Sequence, residues 1–185
     1  MSTTVSPIES ARDALASFGE RLVGPDDGGY DEARALFNAM IDKRPALIAR
    51  CETPADVAAV IRFAREHDLP LAVHGGGHNG AGLGSVDNGV VIDLSPMKAI
   101  SVDASTKTVR VGGGAVWGEV DAATQPHALA VPTGIISTTG VAGLTLGGGH
   151  GYLTRRHGLT IDSLLSAKMV LADELLEGLG EWAER

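Results

Sequence analysis

The sequence has a single cysteine, Cys51, so no disulfide can form within the chain. It has no run of 18 apolar residues, the length that a membrane-spanning helix needs, and its first residues carry no secretion signal. Lys and Arg total 15 against 23 Asp and Glu, a formal net charge of −8. These shortages argue against a disulfide scaffold and a nucleic-acid partner. We therefore expect a cytoplasmic protein with neither a nucleic-acid nor a membrane partner.

Glycine, by contrast, is abundant: 25 of the 185 residues, well above the usual share of about 7%. Two stretches are densest in it, residues 73–82 (VHGGGHNGAG) and residues 140–151 (GVAGLTLGGGHG). Glycine lets backbone N–H groups turn toward an anion and lets the chain approach a phosphate closely. The first stretch is therefore a candidate pyrophosphate cradle. Together the two stretches suggest that separate segments face one large ligand, held by backbone amides because the chain has no basic patch.

Neither glycine stretch matches the common phosphate-binding motifs. No Gly-Lys-Ser or Gly-Lys-Thr ends either of them, which argues against a Walker loop. The first is followed by Asn88-Gly89 and the apolar run 90–92, not by the long helix of a dinucleotide fingerprint. The sequence thus gives no support to a doubly wound nucleotide-binding fold.

Apolar periodicity predicts a mixture of helices and short strands, hence an α+β fold. Cys51 stands at the end of an apolar run and is interpreted as a buried small hydrophobe. The predicted helices cover a segment opening at Ser6-Pro7, residues 30–40, a segment starting at Thr53-Pro54, a segment around 116–123, and the tail 173–185. The predicted strands cover residues 45–49, 71–73, 90–93, 99–102, 108–111 and 164–171.

The order of these segments and their amino-acid sequences closely resemble those of the berberine bridge enzyme-like branch of FAD-linked oxidases. The resemblance runs from about Tyr30 to Asp173. It is carried by residues 44–51, the GGGHN loop at 75–79, and residues 91–95, 112–121 and 140–149. It implies a two-subdomain FAD-binding fold of the p-cresol methylhydroxylase/vanillyl-alcohol oxidase type, incomplete at the C-terminus.

The resemblance also implies a division of the chain. Residues 1–43 form an N-terminal helical segment, residues 44–173 the first part of the FAD-binding domain, and residues 174–185 a divergent helical tail. Relatives continue with a substrate domain that covers the flavin and supplies the catalytic base. That domain is absent here, so the catalytic residues are unknown, and no metal site is expected.

FAD is the cofactor that the resemblance implies, with His78 in the place of the histidine bonded covalently to the 8-methyl group of the flavin. Residue type alone gives a plainer interpretation, a loop histidine whose N–H caps a backbone carbonyl. His74 stands where relatives often carry arginine, and either packs or contacts the ligand. Ile136 stands where doubly attached relatives have cysteine, which excludes a second link. The predicted cofactor-binding residues are His74, Gly75, Gly76, Gly77, His78, Asn79, Gly80, Thr138, Thr139, Gly140, Gly143, Gly149 and Tyr152.

Three functions remain open at this point. The first is an FAD-dependent oxidoreductase that takes hydride from an alcohol-like carbon of a small-molecule substrate. The second is a flavin-binding module without turnover of its own, and the third is a non-catalytic remnant. Self-association, or a second chain that covers the missing half, is the expected protein partnership.

Overall fold

The computed structural model describes residues 7–173 and 176–179 of the chain. The helices are α1 (Pro7–Ala14), α2 (Tyr30–Ala33), α3 (Pro54–Glu66), α4 (Trp117–Thr124), α5 (Val141–Leu146) and α6 (Thr154–His157). The strands are β1 (Leu22–Val23), β2 (Leu47–Arg50), β3 (Leu71–His74), β4 (Val90–Asp93), β5 (Ile100–Asp103), β6 (Thr108–Val111), β7 (Ala167–Val170) and β8 (Leu176–Leu179). The mixed α+β class predicted from the sequence is confirmed.

A four-stranded sheet in the order β1-β2-β4-β3 forms the centre of the fold. β4 pairs in parallel with β2 and β3, and β1 pairs antiparallel with β2. β2 and β4 are covered on both faces, as expected for the continuous apolar runs that form them. One face packs Leu47 and Val90 against Phe63 of α3, and the other packs Ile48 against Tyr30.

Helix α3 is the element that local signals predict best. Its N-cap Thr53 accepts a hydrogen bond from the backbone N–H of Asp56 at 3.1 Å, and the Asp56 carboxylate accepts those of Glu52 and Thr53. Pro54 occupies the first turn, where its missing N–H costs nothing. Reciprocal capping of this kind fixes the start of the helix at the predicted residue.

Two predicted helices are wrong in part. The helix expected over residues 30–40 ends at Ala33, because the chain then turns to pack Leu36 and Ile41 against the first glycine stretch. In the tail, residues 176–179 form β8 instead of a helix and pair antiparallel with β7. Residues 176–179 form a strand because they pair with β7, although their apolar spacing is typical of a helix. The rest of the predicted tail helix beyond Asp173 lies outside the described residues.

The remaining elements follow the sheet along the chain. β5 and β6 form a hairpin, and α4 packs near β5.

Cys51 is fully buried beside the sheet, and burial raises the pKa of its thiol to about 12, which confirms its interpretation as a small hydrophobe. In the described part of the chain, no helix combines the length and apolarity needed to cross a bilayer.

Candidate functional site

The site lies at the carboxyl ends of the three parallel strands, where ligands of open parallel sheets commonly bind. The last residues of these strands, Arg50, Asp93 and His74, stand side by side in register. Asp93 is buried and accepts hydrogen bonds from the backbone N–H and the hydroxyl of Ser95, at 2.8 and 2.9 Å. The first glycine stretch leaves the sheet at this edge, directly after His74.

The two glycine stretches, far apart in the sequence, meet in space. A Cβ placed on Gly76 would lie 2.7 Å from Cα of Gly140, and one placed on Gly140 would lie 3.0 Å from Cα of Gly76. Real Cβ atoms do not approach backbone so closely, so this crossing requires glycine on both sides. The expectation that two separated segments face the same place therefore has direct geometric support.

The backbone of the first stretch presents free donors. Within the part of the chain that the structure describes, no N–H group of residues 75–80 donates a hydrogen bond to another residue. Gly77 is nevertheless buried. Buried backbone N–H groups almost always have a partner, so the free N–H of Gly77 marks a place where a ligand or water accepts. Successive free N–H groups form the kind of concave surface that binds anions.

His78 lies where the two stretches meet. Its Nε2 is 3.0 Å from the hydroxyl of Thr138, and its Nδ1 is 3.4 Å from the hydroxyl of Thr139. The face of the ring stacks on Phe37, with centroids 4.0 Å apart and planes 18° apart. Burial lowers the pKa of His78 below its ordinary value of 6.5, so the imidazole is neutral at pH 7. Because both ring nitrogens face hydroxyls, the interpretation of His78 as the cap of a backbone carbonyl is wrong.

Residues 36–43, which we call the strap, hold the first glycine stretch in shape. The backbone N–H of Phe37 donates to the Gly77 carbonyl at 3.2 Å. The ammonium of Lys43 donates to the carbonyls of Gly82 and Ser85, at 2.8 and 3.0 Å. Sequence reasoning missed the strap because it predicted a helix over residues 30–40, which include the first five residues of the strap. The available signal for the strap in the sequence was the presence of Phe37 and Lys43, to which no other role was assigned.

The structure separates the predicted cofactor residues into two groups. Gly75, Gly76 and His78 meet Thr138, Thr139 and Gly140 at the junction. No described hydrogen bond joins Asn79 or Gly80 to these residues of the second segment. His74 lies behind the loop, where its ring would be 2.9 Å from a Cβ on Gly77, so it packs under the glycine stretch.

Gly143, Gly149 and Tyr152 form the second group, because no described hydrogen bond or ring contact joins them to the first stretch. Gly143 is exposed, with open space where a Cβ would stand. Gly149 has a φ of +73° and packs against Thr160, which gives it a structural reason to be glycine. Tyr152 is 83% exposed.

Comparison with known proteins adds family information to this geometry. Residues 45–179 match the model of an FAD binding domain. An uncharacterized FAD-linked oxidoreductase of Bacillus subtilis (strain 168) is 41% identical over 154 residues, which cover 83% of this chain and 34% of the relative. The (R)-6-hydroxynicotine oxidase of Paenarthrobacter nicotinovorans is 38% identical over 151 residues, covering 82% of this chain and 33% of that protein.

Solved structures give the same picture. The crystal structure of 6-hydroxy-D-nicotine oxidase from Arthrobacter nicotinovorans superposes with a TM-score of 0.84 at 36% identity, over 86% of this chain and 35% of that one. The berberine bridge enzyme-like protein 1 of Physcomitrella patens superposes with a TM-score of 0.85 at 29% identity, over 91% and 37%. The chain thus spans about a third of the length of the relatives it matches. The fold is the two-subdomain FAD-binding type that the sequence resemblance implied.

Proposed function

The chain belongs to the FAD binding domain family, with FAD as its cofactor, and from this premise we propose that the junction of the two glycine stretches holds FAD in an oxidoreductase of the oxidase type. When bound, FAD would supply the acceptor for hydride from a small-molecule substrate. The role of this chain would be to bind and orient the FAD. An alcohol-like carbon centre is the substrate class we propose.

One observation supports this proposal above the others: free backbone N–H groups line a loop whose glycines meet a second loop. The diphosphate of FAD is negatively charged, and the chain is also negative, with a net charge of −8. The overall charge of the chain therefore does not favour binding of the diphosphate. Amide dipoles bind such a group without a cluster of Lys or Arg. Residues 75–80 are the proposed diphosphate contacts, and Thr138, Thr139 and Gly140 are the proposed contacts across the junction. Gly143, Gly149 and Tyr152 remain outer members of the proposed site.

We further propose that His78 forms a covalent bond with the 8-methyl group. A neutral imidazole keeps a nitrogen lone pair, which is the form needed for bond formation. The new N–C bond replaces an N–H bond of the ring and a C–H bond of the methyl group. Two electrons and two protons must therefore pass to an oxidant, for which dioxygen suffices. Ile136, 47% exposed, offers no sulfur for a second link.

Binding can be tested on the whole chain. FAD added to the apoprotein should bind with quenched flavin fluorescence, and acid precipitation should carry yellow flavin into the pellet of wild type. His78→Ala should bind FAD but release all of it into the acid supernatant. A wild-type chain that leaves FAD fluorescence unchanged would remove the basis of the proposal.

The alternative function is a flavin-binding module, or a remnant, without turnover. Hydride transfer requires a substrate held over the flavin, and no described residue is assigned to that role. Hydrogen peroxide release across a panel of alcohols and sugars separates the two: turnover supports the oxidase, and bound FAD with no turnover supports the module.

A second proposal concerns partners and location. Residues 135–165 carry eight exposed large apolar side chains, and exposed apolar area is typical of protein contact. We propose that self-association or a second chain covers it. Light scattering at several concentrations should reveal self-association.

A cytoplasmic location also remains a proposal, supported by the unpaired, buried thiol of Cys51.

A further inference from the structure

We propose that Phe37 is a positioning residue, which holds the imidazole of His78 in the orientation needed to bond the flavin. This inference rests on the proposed function, in which His78 is the point of attachment. Phe37 is 64% exposed, yet its ring lies nearly parallel to that of His78 at 4.0 Å. No other described aromatic ring stacks on His78.

The stack and the two threonines restrict different motions of the imidazole. Phe37 covers one face and sets the plane of the ring. Thr138 and Thr139 stand at its two nitrogens and oppose rotation within that plane. A histidine on a glycine-rich loop would otherwise sample several rotamers. Orientation of reacting groups is among the largest contributions to the rate of bond formation.

Phe37 can act in this way because it is fixed to the same loop. Its backbone N–H donates to Gly77, the residue before His78. The Leu36 side chain lies 3.5 Å from the place that a Cβ on Gly77 would occupy. The amide of Asn38 reaches the carbonyl of Gly80 at 3.5 Å, on the far side of His78. The strap therefore moves with the loop, and the stacked rings keep their distance.

The contacts of Thr138 and Thr139 hold the imidazole before it reacts. A hydroxyl both donates and accepts, so the neutral ring can satisfy both contacts with its proton on either nitrogen. When the ring reacts, the hydroxyl at the nitrogen without the proton moves aside and that nitrogen bonds the methyl carbon. The proton on the other nitrogen and one methyl hydrogen depart, and dioxygen takes the two electrons and the two protons. Phe37 contributes no atom to this step. Its effect is confined to the orientation of the ring.

The test compares Phe37→Ala with Phe37→Tyr, with Met40→Ala as the control. Met40 lies in the strap, and its side chain is 92% exposed. In each full-length variant, the rate of acid-stable FAD incorporation in air is measured together with non-covalent FAD affinity. We expect Phe37→Ala to slow incorporation by at least about tenfold with affinity changed less than about twofold. Phe37→Tyr and Met40→Ala should match wild type.

A measurement on the apoprotein makes the test independent of FAD. Proton–nitrogen NMR of the His78 ring should show loss of the ring-current shift in Phe37→Ala and its retention in Phe37→Tyr. Incorporation by Phe37→Ala at the wild-type rate, or a His78 spectrum unchanged by that substitution, would overturn the inference and leave the proposed function standing. A wild-type chain that forms no acid-stable flavin overturns the attachment itself, and this inference with it.

Discussion

The sheet region, residues 11–94, and the distal region, residues 131–165, differ in how they bury their apolar side chains. β2 and β4 bury nearly every side chain against neighbours from the same region, including Leu47, Ile48 and Ile92. The distal region instead leaves a set of large apolar side chains in solvent: Ile135, Ile136, Leu146, Tyr152, Leu153, Leu159, Ile161 and Leu165. The two central strands of the sheet region are covered by residues of that region, whereas the distal region presents exposed apolar side chains that another protein segment can bury.

The largest difference between the regions should appear in stability. Leu47→Ala removes a fully buried side chain and leaves a cavity, so we expect the free energy of unfolding to fall by about 2–5 kcal/mol. Leu146→Ala, at a position 59% exposed, should change it by less than about 0.5 kcal/mol. Urea unfolding followed by circular dichroism measures both. Equal losses in the two variants would mean that the distal region is packed as tightly as the sheet.

The next effect tests the junction between the regions. Gly76→Ala forces a Cβ into the backbone of Gly140, and overpacking of this kind costs about 1–3 kcal/mol. FAD affinity should fall by roughly 10- to 100-fold, measured by fluorescence titration. Gly80→Ala, in the same loop but with open space around its Cβ, is the matched control for crowding. If both variants bind like wild type, the meeting of the two stretches does not matter for binding.

A smaller effect, confined to the sheet region, depends on pH. Burial opposes the charge of Asp56, but hydrogen bonds from backbone N–H groups and from Arg21 outweigh burial and lower its pKa below the ordinary 3.8. A carboxylate with a depressed pKa stabilises the fold above 3.8, and this contribution disappears as the pH falls through the lower folded value. Asp56→Asn should therefore cost about 1 kcal/mol at pH 7, and its deficit should shrink in acid.

The control for Asp56 is Glu52→Gln. Glu52 reaches Arg21 at 3.6 Å but is 60% exposed, so its loss should change stability by less than about 0.5 kcal/mol at either pH. A deficit of Asp56→Asn that is the same at pH 7 and at pH 3 would show that the cap acts through shape and not through charge.

The smallest effect on stability is expected on the distal surface itself. Replacing Ile135 and Leu146, which are 54% and 59% exposed, by serine removes exposed apolar area and should leave the free energy of unfolding within about 0.5 kcal/mol of wild type. Binding of a dye that reports apolar patches should fall, as should any concentration-dependent light scattering. Unchanged dye binding would locate the accessible apolar surface elsewhere.

The contrast between the regions also explains what the sequence could predict. The α3 start and strands β2, β3 and β4 follow from signals a few residues apart, such as the Thr53 and Asp56 pair and the apolar run 90–92. The glycine stretches and His78 were recognisable because their composition is unusual. The stack of Phe37 on His78 spans 41 positions in the chain and leaves no periodic trace. Residues 34–40 do not form the predicted helix because they take part in the same long-range packing. Likewise, β8 forms because it pairs with β7.

The position of the strap has a practical consequence for how the protein is divided. Residues 36–43 end just before residue 45, where the match to the FAD binding domain begins. A recombinant piece cut at that boundary would keep every glycine of both stretches, together with His78. It would lose the ring stacked on that histidine and the ammonium that ties the carbonyls of Gly82 and Ser85. The segment that the family model matches is thus shorter than the segment that holds His78 in place, so a piece that begins at residue 45 lacks contacts of the proposed site.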